Sequence, residues 1–171
     1  MKGFIFRHKN YSILNKFYWL LITGLCFNFN LNSSFAQNSF TQNETLNITI
    51  DKKLVTNPLT FKGISGGTVT AREITNTDNT ATGYCDGFVA RQPNHILKLD
   101  SFFNFLKVEV ASQADTTIII QGPGGTWCSD DVDNTNPMIE GQWQPGIYRV
   151  WIGSYRANSN NDYQIKITGN N

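Results

Sequence analysis

The feature that most constrains the fold is an alternation of apolar and polar residues with a period of two. It is clearest over Leu46–Ile50, 106–110 and 163–167. Because successive side chains of a strand point to opposite faces, each segment predicts a strand with one buried and one solvated face. No segment longer than one turn shows the 3.6-residue period of an amphipathic helix. The sequence therefore predicts an all-β fold.

Further strands are predicted where short apolar segments lie between turn-forming residues. These segments are 60–64, 68–73, 87–91, 96–100, 116–121, 138–143 and 146–153. Gly, Pro, Asn and Asp residues separate them, as expected for tight turns. About eight to ten short strands at this spacing predict an antiparallel β-sandwich or a jelly roll. Residues 118–120 and 148–152 are apolar on both faces, which predicts that they belong to central strands.

The first 36 residues have the pattern of an export signal. A basic start precedes the apolar residues 17–27, and Ser34 and Ala36 supply the small side chains of a cleavage site. A membrane anchor is the alternative, but a spanning helix needs roughly 20 apolar residues. We therefore predict a signal peptide over 1–36, a flexible leader over 37–44 and a single β-sandwich domain over 45–171. The mature protein is expected to be secreted or periplasmic.

The charge of the mature chain bears on its partners. Four of the 14 Lys and Arg residues lie in the signal, which leaves 10 against 13 Asp and Glu. A net acidic chain without a basic cluster is a poor match for nucleic acid. We expect no nucleic-acid partner, and no membrane contact after cleavage.

Cys85 and Cys128 remain after signal cleavage. An even number of cysteines in an exported chain predicts a disulfide, because oxidising compartments leave few thiols unpaired. Two separate buried thiols are the alternative. Two cysteines and the single mature histidine do not form a zinc site with the usual spacing.

Residues 115–167 contain an ordered set of features. Asp115-Thr-Thr opens an apolar strand, a glycine-containing turn and the pair Asp130-Asp131 follow, and Gly146-Ile-Tyr-Arg-Val opens a later strand. This order resembles the bacterial pre-peptidase C-terminal domain family, which comprises β-sandwich modules attached to secreted proteases and other exported enzymes. The resemblance implies a non-catalytic accessory module. The cysteine pair departs from the family pattern, so we expect a divergent member. No protease domain precedes residues 115–167, so we also expect a free-standing one.

The acidic loop suggests a metal site. Asp130, Asp131 and Asp133 supply carboxylate oxygens, which Ca²⁺ prefers as ligands. The EF-hand pattern fails, because Asn136 and Gln142 stand where Gly and Glu are required. Asp and Asn side chains also stabilise turns by binding their own backbone. We therefore predict no cofactor, with a calcium-stabilised structural module as the alternative.

Aromatic residues are concentrated in the second half of the chain. Trp127, Trp143 and Tyr155 are candidates for a ligand-binding platform, because aromatic faces stack on the apolar faces of sugars. The alternative is burial, and we expect two or more of the aromatic rings in this half to pack against the disulfide. The partner would be a protein or a polysaccharide of the cell envelope or extracellular space, a secreted peptidase being one candidate.

An enzymatic role has little support in the sequence. His95 is the only histidine of the mature chain, and no serine lies in a Gly-x-Ser-x-Gly elbow. A small secreted hydrolase would need His95 beside Asp86 or Asp100 and a serine. We expect a non-catalytic binding module, with that hydrolase as the weaker alternative.

Overall fold

Two β-sheets packed face to face form the fold. The structure is a computed structural model of the chain, and it describes residues 45–51, 57–132 and 134–170. These ranges contain thirteen strands, and four of them have only two residues. The nine longer strands agree with the predicted number of about eight to ten. The elements are β1 (Leu46–Ile50), β2 (Leu59–Ile64), β3 (Val69–Thr70), α1 (Ala71–Thr75), β4 (Asn79–Thr80), β5 (Gly83–Tyr84), β6 (Phe88–Val89), β7 (His95–Leu99), β8 (Phe103–Ser112), β9 (Thr116–Gly122), β10 (Gly125–Ser129), β11 (Met138–Trp143), β12 (Gly146–Ser154) and β13 (Asp162–Asn170).

The larger sheet is built around β12. This strand pairs with β7 and β6 along one edge and with β9 along the other, and β9 also pairs with β10. Strand β1 joins β7 in parallel, which departs from the predicted antiparallel pairing. The smaller sheet has the order β11-β8-β13-β2 and is antiparallel throughout. The predicted β-sandwich is confirmed, and β9 and β12 are paired on both edges, as their two apolar faces indicated.

The main core lies between the two sheets. Residues 118 and 120 of β9 face this core, as do Tyr148, Val150 and Ile152 of β12. The smaller sheet contributes alternate side chains of β8 and β13, including Val108 and Ile165. The period of two in the sequence therefore places one face of each of these strands in the main core.

A second apolar cluster covers the outer face of the larger sheet. Ile119, Cys128 and Trp151 are cross-strand neighbours on β9, β10 and β12, and side chains from β3, α1 and β6 pack over them. The predicted disulfide between Cys85 and Cys128 is present here, with both cysteines buried. Closing a loop of this length stabilises a fold by about 4 kcal/mol in the loop-entropy description. Among the described aromatic residues, Trp151 alone belongs to this cluster, so the expectation that two or more rings pack against the disulfide is wrong. Trp143, Tyr148 and Trp127 pack in or against the main core instead.

Residues 68–73 are not the single strand that was predicted. Strand β3 ends at Thr70, whose hydroxyl accepts a hydrogen bond from the Glu73 backbone N–H at 3.3 Å and donates one to the Glu73 carboxylate at 3.0 Å. This reciprocal Thr-x-x-Glu cap favours the start of a helix, and α1 follows. Asn76 ends the helix in the left-handed conformation.

Strand β10 was also missed, because the sequence predicted a turn over 122–125 and an acidic loop over 129–133 and assigned residues 126–128 to neither. These residues lie in β10, Gly125–Ser129. The predicted signal 1–36 and leader 37–44 lie outside the described residues, so this division of the chain stays a prediction. Within the described ranges, no helix has the length and apolar character needed to span a membrane.

Candidate functional site

Three carboxylates meet where two connections of the sandwich come together. Asp115 lies between β8 and β9, and Asp130 and Asp131 directly follow β10. One carboxylate oxygen from each residue lies within 4.8 Å of the others. We call these three residues the acidic corner. Two of the three, Asp130 and Asp131, were predicted from the sequence as metal ligands.

Two of the oxygens in the acidic corner are buried without a hydrogen-bond donor. They are Oδ1 of Asp115 and Oδ1 of Asp130. Leaving a buried carboxylate oxygen unsatisfied costs free energy, since its hydration is lost and nothing replaces it. The corner therefore has unused capacity for a proton or a cation.

The electrostatics of the acidic corner also favour the binding of a proton or a cation. Burial, followed by repulsion from Asp131, Asp115 and Asp86, raises the pKa of Asp130 to about 6. Burial and Asp131 also raise the pKa of Asp115, while Arg156 opposes that shift. A site that resists ionisation in this way gains from any positive charge placed among its oxygens.

The loop after β10 holds the corner in position. The Val132 backbone N–H donates to the Asn136 carbonyl at 3.2 Å, and the Thr116 N–H donates to the Thr135 carbonyl at 3.1 Å. The Asn136 side-chain oxygen accepts from the Ser112 N–H at 2.9 Å, so this amide stabilises the loop. Asp133, the third predicted ligand, lies outside the described residues.

Sequence reasoning missed Asp115, which is 15 positions before Asp130. The hairpin of β9 and β10 pairs Ile118 with Ser129, and extending this register brings residues 130–132 level with 115–117. Predicting the pairing of this hairpin would have found the residue. Asp86 was considered only as a partner of His95, but it adds to the negative potential at Asp130.

The candidate aromatic residues are placed in two different regions. Trp127 and Trp143 stack with ring centroids 6.4 Å apart and planes at 25°. Trp143 is only 5% exposed, whereas Trp127 is half-buried. Tyr155 is 51% exposed and lines a different cavity, beside Asp86. The structure thus brings the two tryptophans together and leaves Tyr155 outside their group.

His95 does not form the contacts that a hydrolase would require. It is 2% exposed on the inner face of β7, and its Nε2 lies 2.7 Å from the Tyr163 hydroxyl across the core. Its Nδ1 has no hydrogen-bond partner among the described residues. Asp100 pairs instead with Lys98 at the surface. Burial lowers the pKa of His95 to about 4, which keeps the ring neutral at ordinary pH.

Comparison with known proteins gives few relatives. No protein-family model matches the chain. The chain is 25% identical over 87 residues to an uncharacterised protein of Synechococcus elongatus, a match covering 48% of this chain and 64% of that protein. This chain therefore spans less than two thirds of that relative's length.

Among solved structures, the chain is similar to the pre-peptidase C-terminal domain of a collagenase from Bacillus anthracis. The TM-score is 0.46 and the identity 12%, and the match covers 73% of this chain and 95% of that domain. That domain is from the family that residues 115–167 resemble in sequence. Neither relative assigns a ligand, an activity or a partner to this chain.

Proposed function

We propose that this chain is an exported, non-catalytic β-sandwich module whose acidic corner binds a calcium ion that stabilises the fold. Its role would be binding in the cell envelope or extracellular space. The observation that carries the proposal is the convergence of Asp115, Asp130 and Asp131 with two buried oxygens that lack donors.

The spacing of the three oxygens fits calcium coordination. Ligand oxygens lie about 2.4 Å from a bound Ca²⁺, so two of them can be at most about 5 Å apart. The three oxygens all lie within 4.8 Å of one another, which is inside that limit. Backbone carbonyls and water molecules would complete the coordination, as is usual for this ion.

A bound cation would also remove the electrostatic cost of the corner. Asp130 must otherwise either remain charged beside other carboxylates or take up a proton, and its raised pKa reflects both the burial and the repulsion. Calcium allows all three carboxylates to be ionised together. The ion would thereby join the start of β9 to the loop that follows β10.

Thermal unfolding with and without calcium tests this proposal. An ion that binds only the folded state stabilises it by about 2.7 kcal/mol at a concentration 100 times its dissociation constant. We expect the midpoint to rise in millimolar Ca²⁺ and to fall again with a chelator. Magnesium should have a smaller effect, because it demands stricter geometry and sheds its water reluctantly.

Two substitutions make the test specific. Asp130→Asn should abolish most of the calcium response, because it removes a charged ligand from the corner. Asp100→Asn is the matched control, since Asp100 is exposed and pairs with Lys98; this variant should respond as the unaltered chain does. A midpoint that does not change with calcium in the unaltered chain would refute the metal site.

Export and the absence of catalysis are proposed on separate grounds. The buried Cys85–Cys128 disulfide is typical of an oxidising compartment. The contacts of His95 support a structural role for the one histidine of the mature chain. The mass of the processed protein tests export directly, because cleavage after Ala36 leaves Gln37 as its first residue.

A further inference from the structure

A cleft opens along one side of the sandwich, between an edge strand of each sheet. Among the described strands, β10 pairs only with β9, and β11 pairs only with β8. The space between them has a volume of about 240 Å³. The register of β11 on β8 shifts between Gly141 and Trp143, next to this space. Such irregularities are common beside functional sites.

Aromatic rings form the floor of this edge cleft. Trp127 stacks on Trp143, whose ring centroid lies 4.8 Å from that of Tyr148. The Tyr148 hydroxyl donates to the Gln144 carbonyl at 2.9 Å, which fixes the innermost ring. Trp127 is the half-buried member, so it presents ring surface to the cleft.

A glycine lies beside the Trp127 ring. A Cβ atom at Gly124 would lie 3.5 Å from the six-membered ring of Trp127, in van der Waals contact with it. Gly124 has a φ of +98°, a conformation that other residues rarely adopt. The turn between β9 and β10 therefore places no side chain against this edge of the ring.

The rim of the cleft is polar and lacks positive charge. Glu140, Gln142 and Gln144 are exposed along it, and Thr82 approaches from the opposite side. No lysine or arginine is among the described residues that line the cleft. Amide and carboxylate groups provide hydrogen-bond donors and acceptors beside a flat apolar surface.

We propose that the edge cleft binds a neutral carbohydrate, with a sugar ring stacked on Trp127 and its hydroxyls hydrogen-bonded by Glu140 and Gln142. An anionic ligand would meet the Glu140 carboxylate, whose cross-strand neighbour Lys107 pairs with Glu109 and does not line the cleft. A wholly apolar ligand would desolvate the polar rim without replacing its hydrogen bonds. A cation would be held poorly, because the two tryptophans stack on each other and do not surround a central point.

This ligand class rests on the binding role proposed above and is independent of calcium. The acidic corner and the edge cleft share no residue. Calcium-dependent melting and carbohydrate binding can therefore succeed or fail separately.

Tryptophan fluorescence and calorimetric titration of the mature chain test the proposal. The probes are the neutral hexasaccharides cellohexaose, chitohexaose, laminarihexaose and mannohexaose, each at up to about 10 mM, which covers weak affinities. We expect saturable binding of at least one of them. Trp127→Ala should weaken that binding by about tenfold, the loss expected for one aromatic stacking contact.

Two further variants separate a binding role from a structural one. Gln142→Ala changes an exposed rim residue and should weaken binding while leaving the melting midpoint unchanged. Tyr84→Ala is the matched control, because Tyr84 is an aromatic residue 66% exposed outside the cleft; it should bind as the unaltered chain does. Absence of binding to all four probes would overturn the proposal. So would binding that Trp127→Ala leaves unchanged.

Discussion

Among the described residues, His95 and the acidic corner are the two places where ionisable groups with unsatisfied atoms are buried, and they differ in what surrounds them. His95 lies in the main core, where the Tyr163 hydroxyl binds one ring nitrogen and burial alone lowers its pKa. At the acidic corner, burial acts together with neighbouring carboxylates, and the pKa of Asp130 rises. One site is isolated, and the other contains several charges of the same sign.

The two sites avoid a buried charge in different ways. A histidine becomes neutral by losing a proton, so His95 needs only one hydrogen-bond partner in the core. Aspartates become neutral by gaining a proton, but the three carboxylates can all stay charged if a cation binds among them. A buried base therefore favours a closed, structural site, whereas clustered acids favour a site that takes up an ion.

Acidification should change the unfolding free energy more through His95 than through the acidic corner. The folded chain accepts a proton on His95 only near pH 4, whereas the unfolded chain accepts it below about pH 6.5. The unfolded state then binds more protons between these values. The unfolding free energy should fall as the pH falls through that window, by up to about 3 kcal/mol.

Denaturant unfolding at several pH values between 7 and 4 measures this effect. Comparing the unaltered chain with His95→Gln isolates the histidine, because every other titrating group is common to both. The variant should be less sensitive to acid. Equal pH slopes for the two proteins would show that His95 titrates alike in the folded and unfolded states.

Removing the partner of His95 should have the next largest effect. Tyr163→Phe keeps the ring that packs in the main core but leaves the Nε2 atom of His95 without its hydrogen bond. We expect a loss of about 1–2 kcal/mol, the cost of an unsatisfied buried polar group. The measurement is the denaturant midpoint, with the exposed Tyr84→Phe as the control. Equal losses in the two variants would mean that the buried bond contributes nothing.

The sequence was sufficient to predict the sandwich because local patterning decides it. The alternation over β8 and β13 identifies their buried faces, and the two-sided apolar segments identify β9 and β12 as central. Residue 119, between two main-core residues, could also be assigned to the outer face from the period of two. The Thr70–Glu73 cap was visible too, since Thr-x-x-Glu is a local helix-start pattern.

The candidate sites depend on contacts between distant segments, which the pattern does not supply. Asp115 joins Asp130 only because β9 and β10 pair in one particular register. The partnership of His95 and Tyr163 depends on how the two sheets face each other. The composition of the loop predicted Asp130, Asp131 and Asp133 as acidic ligands, whereas Asp115 could be found only from the tertiary fold.

The smallest expected effect on the unfolding free energy is at the acidic corner. Acidification should stabilise the folded state there, whereas it destabilises the folded state at His95. Without metal at pH 7, Asp130→Asn should raise the unfolding free energy by less than about 1 kcal/mol, because a partly exposed carboxylate is screened by water. Asp130 in the folded chain takes up a proton near pH 6, while an unfolded aspartate does so near 3.9. The folded state then binds more protons, so acidification stabilises it at this residue.

This gain opposes the loss at His95, and Asp130→Asn removes it. The variant should therefore lose stability on acidification more steeply than the unaltered chain, as measured by denaturant unfolding without metal at pH 7, 6 and 5. Asp100→Asn, changed at an exposed position, should follow the unaltered slope. If Asp130→Asn instead destabilises the metal-free chain at pH 7, the Asp130 carboxylate already has a favourable partner. The two sites would then no longer differ in the way that their surroundings indicate.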